Sequence, residues 1–246
     1  MSPPRGADFW HNSFCMVSGK SGQLHCPALL HLALALGFLL VCGVPGLAQD
    51  AVPAVNFNFS FPGSQPEHYD IWVPLSGSAT YESDGKLTAN SDSDAFRVDF
   101  AISEATRTRI FDLTKRANYF DGELDSKKKG LASTGVKTLT YKDAQHNRQA
   151  TYNYSPIPAV QELTRIFQNL STTMEFGRRL EYYHRYQKLA LDDELKRMEE
   201  MVKQNNLQDV AAVAAMLEQI ANDQTVINPV RARAQRLLEQ AGAASH

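Results

Sequence analysis

Four stretches of this chain carry residue types able to do chemistry. Glu181 and His184 form a Glu-x-x-His pair, which on a helix would turn both side chains to one side. Dimetal sites in helical bundles use two such pairs plus further carboxylates. The chain has no second pair, so the expected arrangement is a Glu181–Arg185 ion pair at i,i+4 with His184 in solvent. Gly130-Leu-Ala-Ser-Thr-Gly135-Val136-Lys137-Thr138 approaches a phosphate-binding loop, but Val136 stands where that loop places its lysine. The following Thr138-Leu139-Thr140-Tyr141 alternates like a strand, whereas the loop must open a helix whose amides meet the phosphates. An ordinary glycine turn is expected there. His68 and Asp70 are the pair a metal-independent hydrolase would have to use, yet no Gly-x-Ser-x-Gly supplies a nucleophile. No catalytic, cofactor-binding or metal-binding residue is assigned.

The fourth stretch, Glu175 to Tyr186, concentrates arginine and tyrosine, residue types enriched at binding hot spots. Arg178, Arg179, Tyr182, Arg185 and Tyr186 are its candidate partner surface. The competing arrangement is a junction helix whose tyrosines pack on a sheet while Glu175–Arg179 and Glu181–Arg185 pair in solvent. Leu180 and Tyr183 are expected inward, and Arg178 and Arg185 exposed. Lys127-Lys128-Lys129 reads as a solvated loop.

The elements that must position these residues follow from periodicity. Residues 49–76, with Phe57, Phe59 and Phe61 alternating and Pro62 and Pro66 limiting the run, read as an extended arm or edge strand. Asp84-Gly85 lies between strand-like runs and predicts a hairpin turn. Phe96, Val98 and Phe100 alternate as a further strand. Ser103 caps a helix carrying Ile110, Leu113 and Ala117 on one face. Val136–Lys142 and Gln149–Tyr154 predict two more strands around a 143–147 loop. From Ser155-Pro156 onward the pattern turns helical. Ser155 is the expected cap, and a Thr172/Glu175 capping box predicts a second helix start. Stripes at Leu191–Val202, Leu207–Ala221 and Val230–Ala241 follow, the last stopped at Gly242. The fold class is α+β: an antiparallel sheet with one packed helix over 77–155, then an all-helical region over 156–246.

Ala28 to Val44 is an apolar run followed by Pro45-Gly46-Leu47-Ala48, the layout of a secretory signal over 1–48 with cleavage before Gln49. Met16 is an alternative start inside the lead. An uncleaved anchor is the competing reading, although the run is shorter than the ~20 residues a span needs. A lipoprotein would use Cys42, but Val41 precedes it where a small residue is required. Cys15, Cys26 and Cys42 all precede the cut, so the exported chain is cysteine-free, which fits a bacterial periplasm or cell exterior. The sequons at Asn58, Asn153 and Asn169 are read as chance matches. Residues 49–155 carry 12 cations and 14 anions, and 156–246 carry 11 and 12. Neither half has the basic excess that nucleic-acid binding rests on.

Through Asp84-Gly85-Lys86, the run to Phe100, Ile110-Phe111 and the Arg178–Tyr186 stretch, the chain resembles uncharacterised bacterial secreted proteins over residues 80–200. The resemblance implies an α+β domain and brings no activity or functional residue with it. The expected role is a non-enzymatic binding or structural module with an envelope or extracellular partner, no nucleic acid, and no membrane span after the signal is removed. The rival is an envelope hydrolase.

Overall fold

The computed structural model describes residues 52–87 and 93–244, with only the backbone at 243–244. The stretch read as a secretory signal, with Cys15, Cys26 and Cys42, and also His246, lie outside the described residues. The described residues belong to one compact unit. Among the described residues no helix is long and apolar enough to cross a membrane.

Val55, Phe57 and Phe59 alternate with Asn56, Asn58 and Ser60, which makes one face of the first strand apolar and the other polar. This strand, β1 (Ala54–Ser60), is neither an arm nor an edge. It pairs with β2 (His68–Pro74) on one side, Phe57 opposite Ile71, and with β5 (Val136–Lys142) on the other, Phe57 opposite Leu139. The reason is local: Pro53 and Pro62 flank the strand and none interrupts it, so every N–H inside it can join a ladder. Tyr69, Ile71 and Val73 give β2 the same inward face. The six strands form one antiparallel sheet in the order β4-β3-β2-β1-β5-β6, with β3 Ala79–Lys86, β4 Ser93–Phe100 and β6 Asn147–Tyr152.

The hairpin expected at Asp84-Gly85 is displaced. Both residues lie inside β3, opposite Ala95 and Asp94. Asp84 Oδ1 accepts from the His68 backbone N–H at 2.9 Å, tying the strand end to β2. Gly85 is required by close approach: a Cβ there would sit 3.2 Å from Pro66 Cβ and 3.4 Å from Arg178 Nη1.

α1 (Glu104–Arg116) starts as its cap predicts, with Ser103 Oγ accepting from Thr106 N–H, and buries Ile110 and Leu113. Asp209, from far along the chain, accepts from Ser103 N–H at 2.9 Å and from the Ser103 and Thr106 hydroxyls. That places a second carboxylate at the positive end of α1.

α2 runs unbroken from Pro158 to Tyr186. It begins two residues after the expected Pro156, because Ile157 precedes a proline and is held extended, leaving Pro158 as the first helical residue. The break expected at Thr172/Glu175 is absent. Thr172 Oγ1 donates back to the Gln168 carbonyl and Thr173 Oγ1 to that of Asn169, so these hydroxyls serve the preceding turn instead of capping a new one. α3 (Leu191–Lys203), α4 (Ala214–Asn222) and α5 (Asn228–Ala244) complete the helical region. The Leu207–Ala221 stripe divides into a 3-10 turn, Val210–Val213, and α4. α5 passes through Gly242 without stopping. One apolar core runs from the sheet through α1 and α2 to α5, and the Phe57 ring stacks on Phe167 at 5.0 Å to join the central strand to α2.

Candidate functional site

The arginine- and tyrosine-rich segment, Glu175 to Tyr186, forms the C-terminal end of α2, and the helix divides it between two environments. Glu175 turns toward the sheet. Its Oε1 accepts from Tyr81 OH at 2.9 Å and Ser83 Oγ at 2.7 Å, and Tyr81 OH lies 3.0 Å from Ser171 Oγ. Burial, reinforced by the Glu175 carboxylate, holds the Tyr81 phenol well above its ordinary value. Tyr81 is therefore a neutral donor at every physiological pH.

Arg178, expected in solvent, is buried, its side chain 5% exposed. Its Nη2 donates to the Asp94 carbonyl at 3.0 Å, its guanidinium lies 5.0 Å over the Phe96 ring, and Nη1 sits 3.9 Å from Glu175 Oε2. The absent side chain at Gly85 makes room for it, which explains why the sequence pattern on α2 alone placed it outside. Nη1 makes no hydrogen bond among the described residues. It is fully enclosed, so Arg178 acts as a clamp between α2 and the β3–β4 end rather than as part of an accessible surface.

One residue on, Arg179 reaches the helical side. Its Nε donates to Glu194 Oε1 at 2.7 Å, and Arg197 Nη2 reaches the same oxygen at 3.5 Å. Both guanidinium groups lie over Phe176, at 4.9 and 5.3 Å from the ring centroid, an arrangement favoured by the ring quadrupole. These side chains line a cleft of about 310 Å³ beneath the 61–67 loop, bounded also by Gln65, Gln168 and Thr172. A second chamber of about 200 Å³, sharing Arg179 and Arg197, extends toward Lys86. Sequence reasoning singled out Arg179 but missed Glu194 and Arg197, which look like ordinary members of a charged helix.

The last turn of α2 faces outward. Tyr182 packs edge-on to Tyr183 at 5.8 Å and against Tyr186 at 5.2 Å, so the tyrosines cluster with each other more than with the sheet. Tyr183 is half-buried against the core, as expected. Arg185 is exposed and stacks over Tyr186 at 5.9 Å while pairing with Glu181 at 3.7 Å. Leu189, in the turn that leads into α3, is 89% exposed.

The other candidates are placed as follows. His184 is not free in solvent: its Nε2 lies 2.9 Å from Asp223 Oδ2, and Lys188 donates to the same oxygen at 2.6 Å. Lys188, then Thr225, then His184 hold the Asp223 carboxyl below the usual range. Among the described residues no three His, Cys, Asp or Glu side chains group to hold a metal ion. His68 and Asp70 share the polar face of β2. Asn58 Nδ2 lies 3.3 Å from His68 Nε2, and Asn56 donates to Asp70 at 2.6 Å. No hydroxyl bonds the His68 ring among the described residues. Burial raises the Asp70 carboxyl above its ordinary value despite the Asn56 and Asn58 donors. In the glycine stretch, Lys137 is buried and gives its Nζ to the carbonyls of Thr134, Gly135 and Asn153. Gly135 has φ +91° and leads into β5, not into a helix. Lys127, Lys128 and Lys129 are exposed.

No protein-family model and no curated protein matches this chain.

Proposed function

We propose that this chain is an exported, non-enzymatic binding module of the bacterial cell envelope or exterior, which holds a protein partner through the corner between α2 and α3. The observation that carries the reading is the exposure of Tyr186 and Leu189, 65% and 89%, three residues apart at the end of α2 and in the 3-10 turn that follows. Isolated exposed apolar residues are ordinary. Here they stand with Tyr182 and Arg185, and Tyr182 and Tyr183 back the corner so that little ordering remains to be done on binding. Covering Leu189 alone is worth roughly 1.5–3 kcal/mol. The Asn56 and Asn58 partners of His68 and Asp70 support binding over hydrolysis, since among the described residues no hydroxyl or thiol bonds the His68 ring. The leader 1–48 supports export.

Two measurements test this. Intact mass of the exported protein is expected to begin at Gln49; a mass that retains residues 28–44 overturns cleavage and favours the anchor. Leu189→Asp is expected to keep the parent melting temperature while abolishing stoichiometric recovery with an envelope protein. Undiminished recovery overturns the corner, and concentration-dependent self-association lost in the variant replaces the partner with a second copy.

A further inference from the structure

We infer that the cleft beneath residues 61–67 binds a compact oxyanion, a carboxylate or phosphate, through Arg179 and Arg197. This rests on observations separate from the α2–α3 corner. Glu194 Oε1 receives both Arg179 Nε and Arg197 Nη2, so one carboxylate holds two guanidinium groups and leaves them a net positive charge. Among the described residues Arg179 Nη1 and Nη2, and Arg197 Nε and Nη1, have no hydrogen-bond acceptor. Glu175 Oε2 is 4.0 Å from Arg179 Nη1, beyond hydrogen-bond distance, and Glu175 already accepts from two hydroxyls through Oε1.

Arg179, its side chain 18% exposed, is held by Glu194 at 2.7 Å with its guanidinium over Phe176, which leaves the far side of its planar fork for carboxylate or phosphate oxygens. Arg197, 58% exposed, reaches the same oxygen at 3.5 Å and lies over the same ring. Lys86 borders the adjoining chamber and adds a third cation, so the lining of the two chambers carries Lys86, Arg179 and Arg197 against Glu175 and Glu194. The main chamber's 310 Å³ lies at the small end of the range for ligand sites, roughly 300–1,000 Å³. Gln65 and Gln168 stand on its walls with amides free to meet hydroxyl groups of the body that carries the anion.

The test is a titration of the exported chain followed by ¹H–¹⁵N amide shifts, using inorganic phosphate, glucuronate and neutral glucose as probes. Saturable shifts at residues 64–65, 175–179 and 194–197 are expected with phosphate or glucuronate, and the tighter of the two identifies the oxyanion's source. Arg197→Gln removes an exposed side chain, so the fold is retained; it is expected to weaken binding at least tenfold. Lys128→Gln, which removes the same charge from a distant loop, is expected to leave binding unchanged. Absence of saturable shifts with both anions, equal response to glucose, or equal affinity in Arg197→Gln overturns the site. None of these results bears on partner recovery through Leu189.

Discussion

Two ion pairs on α2 have the same spacing and chemistry and opposite surroundings. Glu175 and Arg179 stand at i,i+4, as do Glu181 and Arg185, yet the first two side chains are 8% and 18% exposed and the second two 61% and 65%. The inner pair hardly bonds to itself: Glu175 serves Tyr81 and Ser83 on the sheet, while Arg179 serves Glu194 on α3. Among the described residues the outer pair has only itself and Tyr186, and both side chains are exposed. A charge pair on a helix face thus reports the helix, and what lies opposite decides whether it becomes a structural joint or a solvated surface. Buried charge is costly unless each oxygen and N–H is met. The inner group is nearly complete in that sense, and the donors left over face the cleft.

The largest effect that distinguishes the two regions is expected from removing the inner carboxylate. Glu175→Ala leaves Ser83 Oγ without its acceptor, Tyr81 OH with only Ser171 Oγ, and Arg178 without its counter-charge. Urea denaturation is expected to show a loss of about 3–5 kcal/mol, the range for breaking a buried pair. Glu181→Ala is expected to stay within ~0.5 kcal/mol. Equal costs at the two positions would erase the distinction.

The tyrosines give the next step down. Tyr183 is half-buried against the core, so Tyr183→Ala is expected to cost about 2 kcal/mol, less than the ~3–5 of a fully enclosed aromatic. Tyr186→Ala is expected to leave the thermal midpoint within a degree or two. An unchanged midpoint in Tyr183→Ala would assign the whole tyrosine cluster to the binding corner.

Gly177 sits between the two regions. Alanine normally favours a helix interior by roughly 1 kcal/mol over glycine. Here its Cβ would stand 2.6 Å from Val213 Cγ1, a β-branched side chain with little freedom to turn away. Gly177→Ala is expected to be destabilising by about 1 kcal/mol in calorimetry; a stabilised variant would mean that the turn at Val210–Val213 yields.

Two carboxylates are expected to shift acid stability in opposite directions. Lys188, Thr225 and His184 lower the Asp223 pKa in the folded state, so its contribution is present above the unfolded value, about 3.9, and is lost as pH falls below it. Burial raises the Asp70 pKa, so its ionisation opposes folding as pH rises through the folded value. Asp223→Asn is expected to lower stability at neutral pH and flatten the acid loss, whereas Asp70→Asn raises neutral stability. Melting curves from pH 3 to 7 showing the same sign for both variants would refute the assignment.

Periodicity alone determined a good deal here. Ser103 and the Ile110–Leu113 face predict α1, the alternation in Val136–Lys142 predicts β5, and the change at Ser155-Pro156 from period two to helical stripes falls two residues before α2 begins. These are local properties: a strand's alternation and a helix's stripe are written in neighbouring residues. The tertiary structure decided the rest. It made 54–60 a central strand, because its second ladder is filled by β5, far along the chain, while the first is filled by the neighbouring β2. It drew Asp84-Gly85 into β3, where Gly85 admits Pro66 and Arg178. It carried α2 through Thr172, whose hydroxyl had a carbonyl one turn back to serve. It also separated Arg178 and Arg179 from Arg185, and brought Glu194 and Arg197 to the cleft. Burial and charge pairing depend on what packs opposite a residue, and for this helix the opposite groups come from β3, β4 and α3.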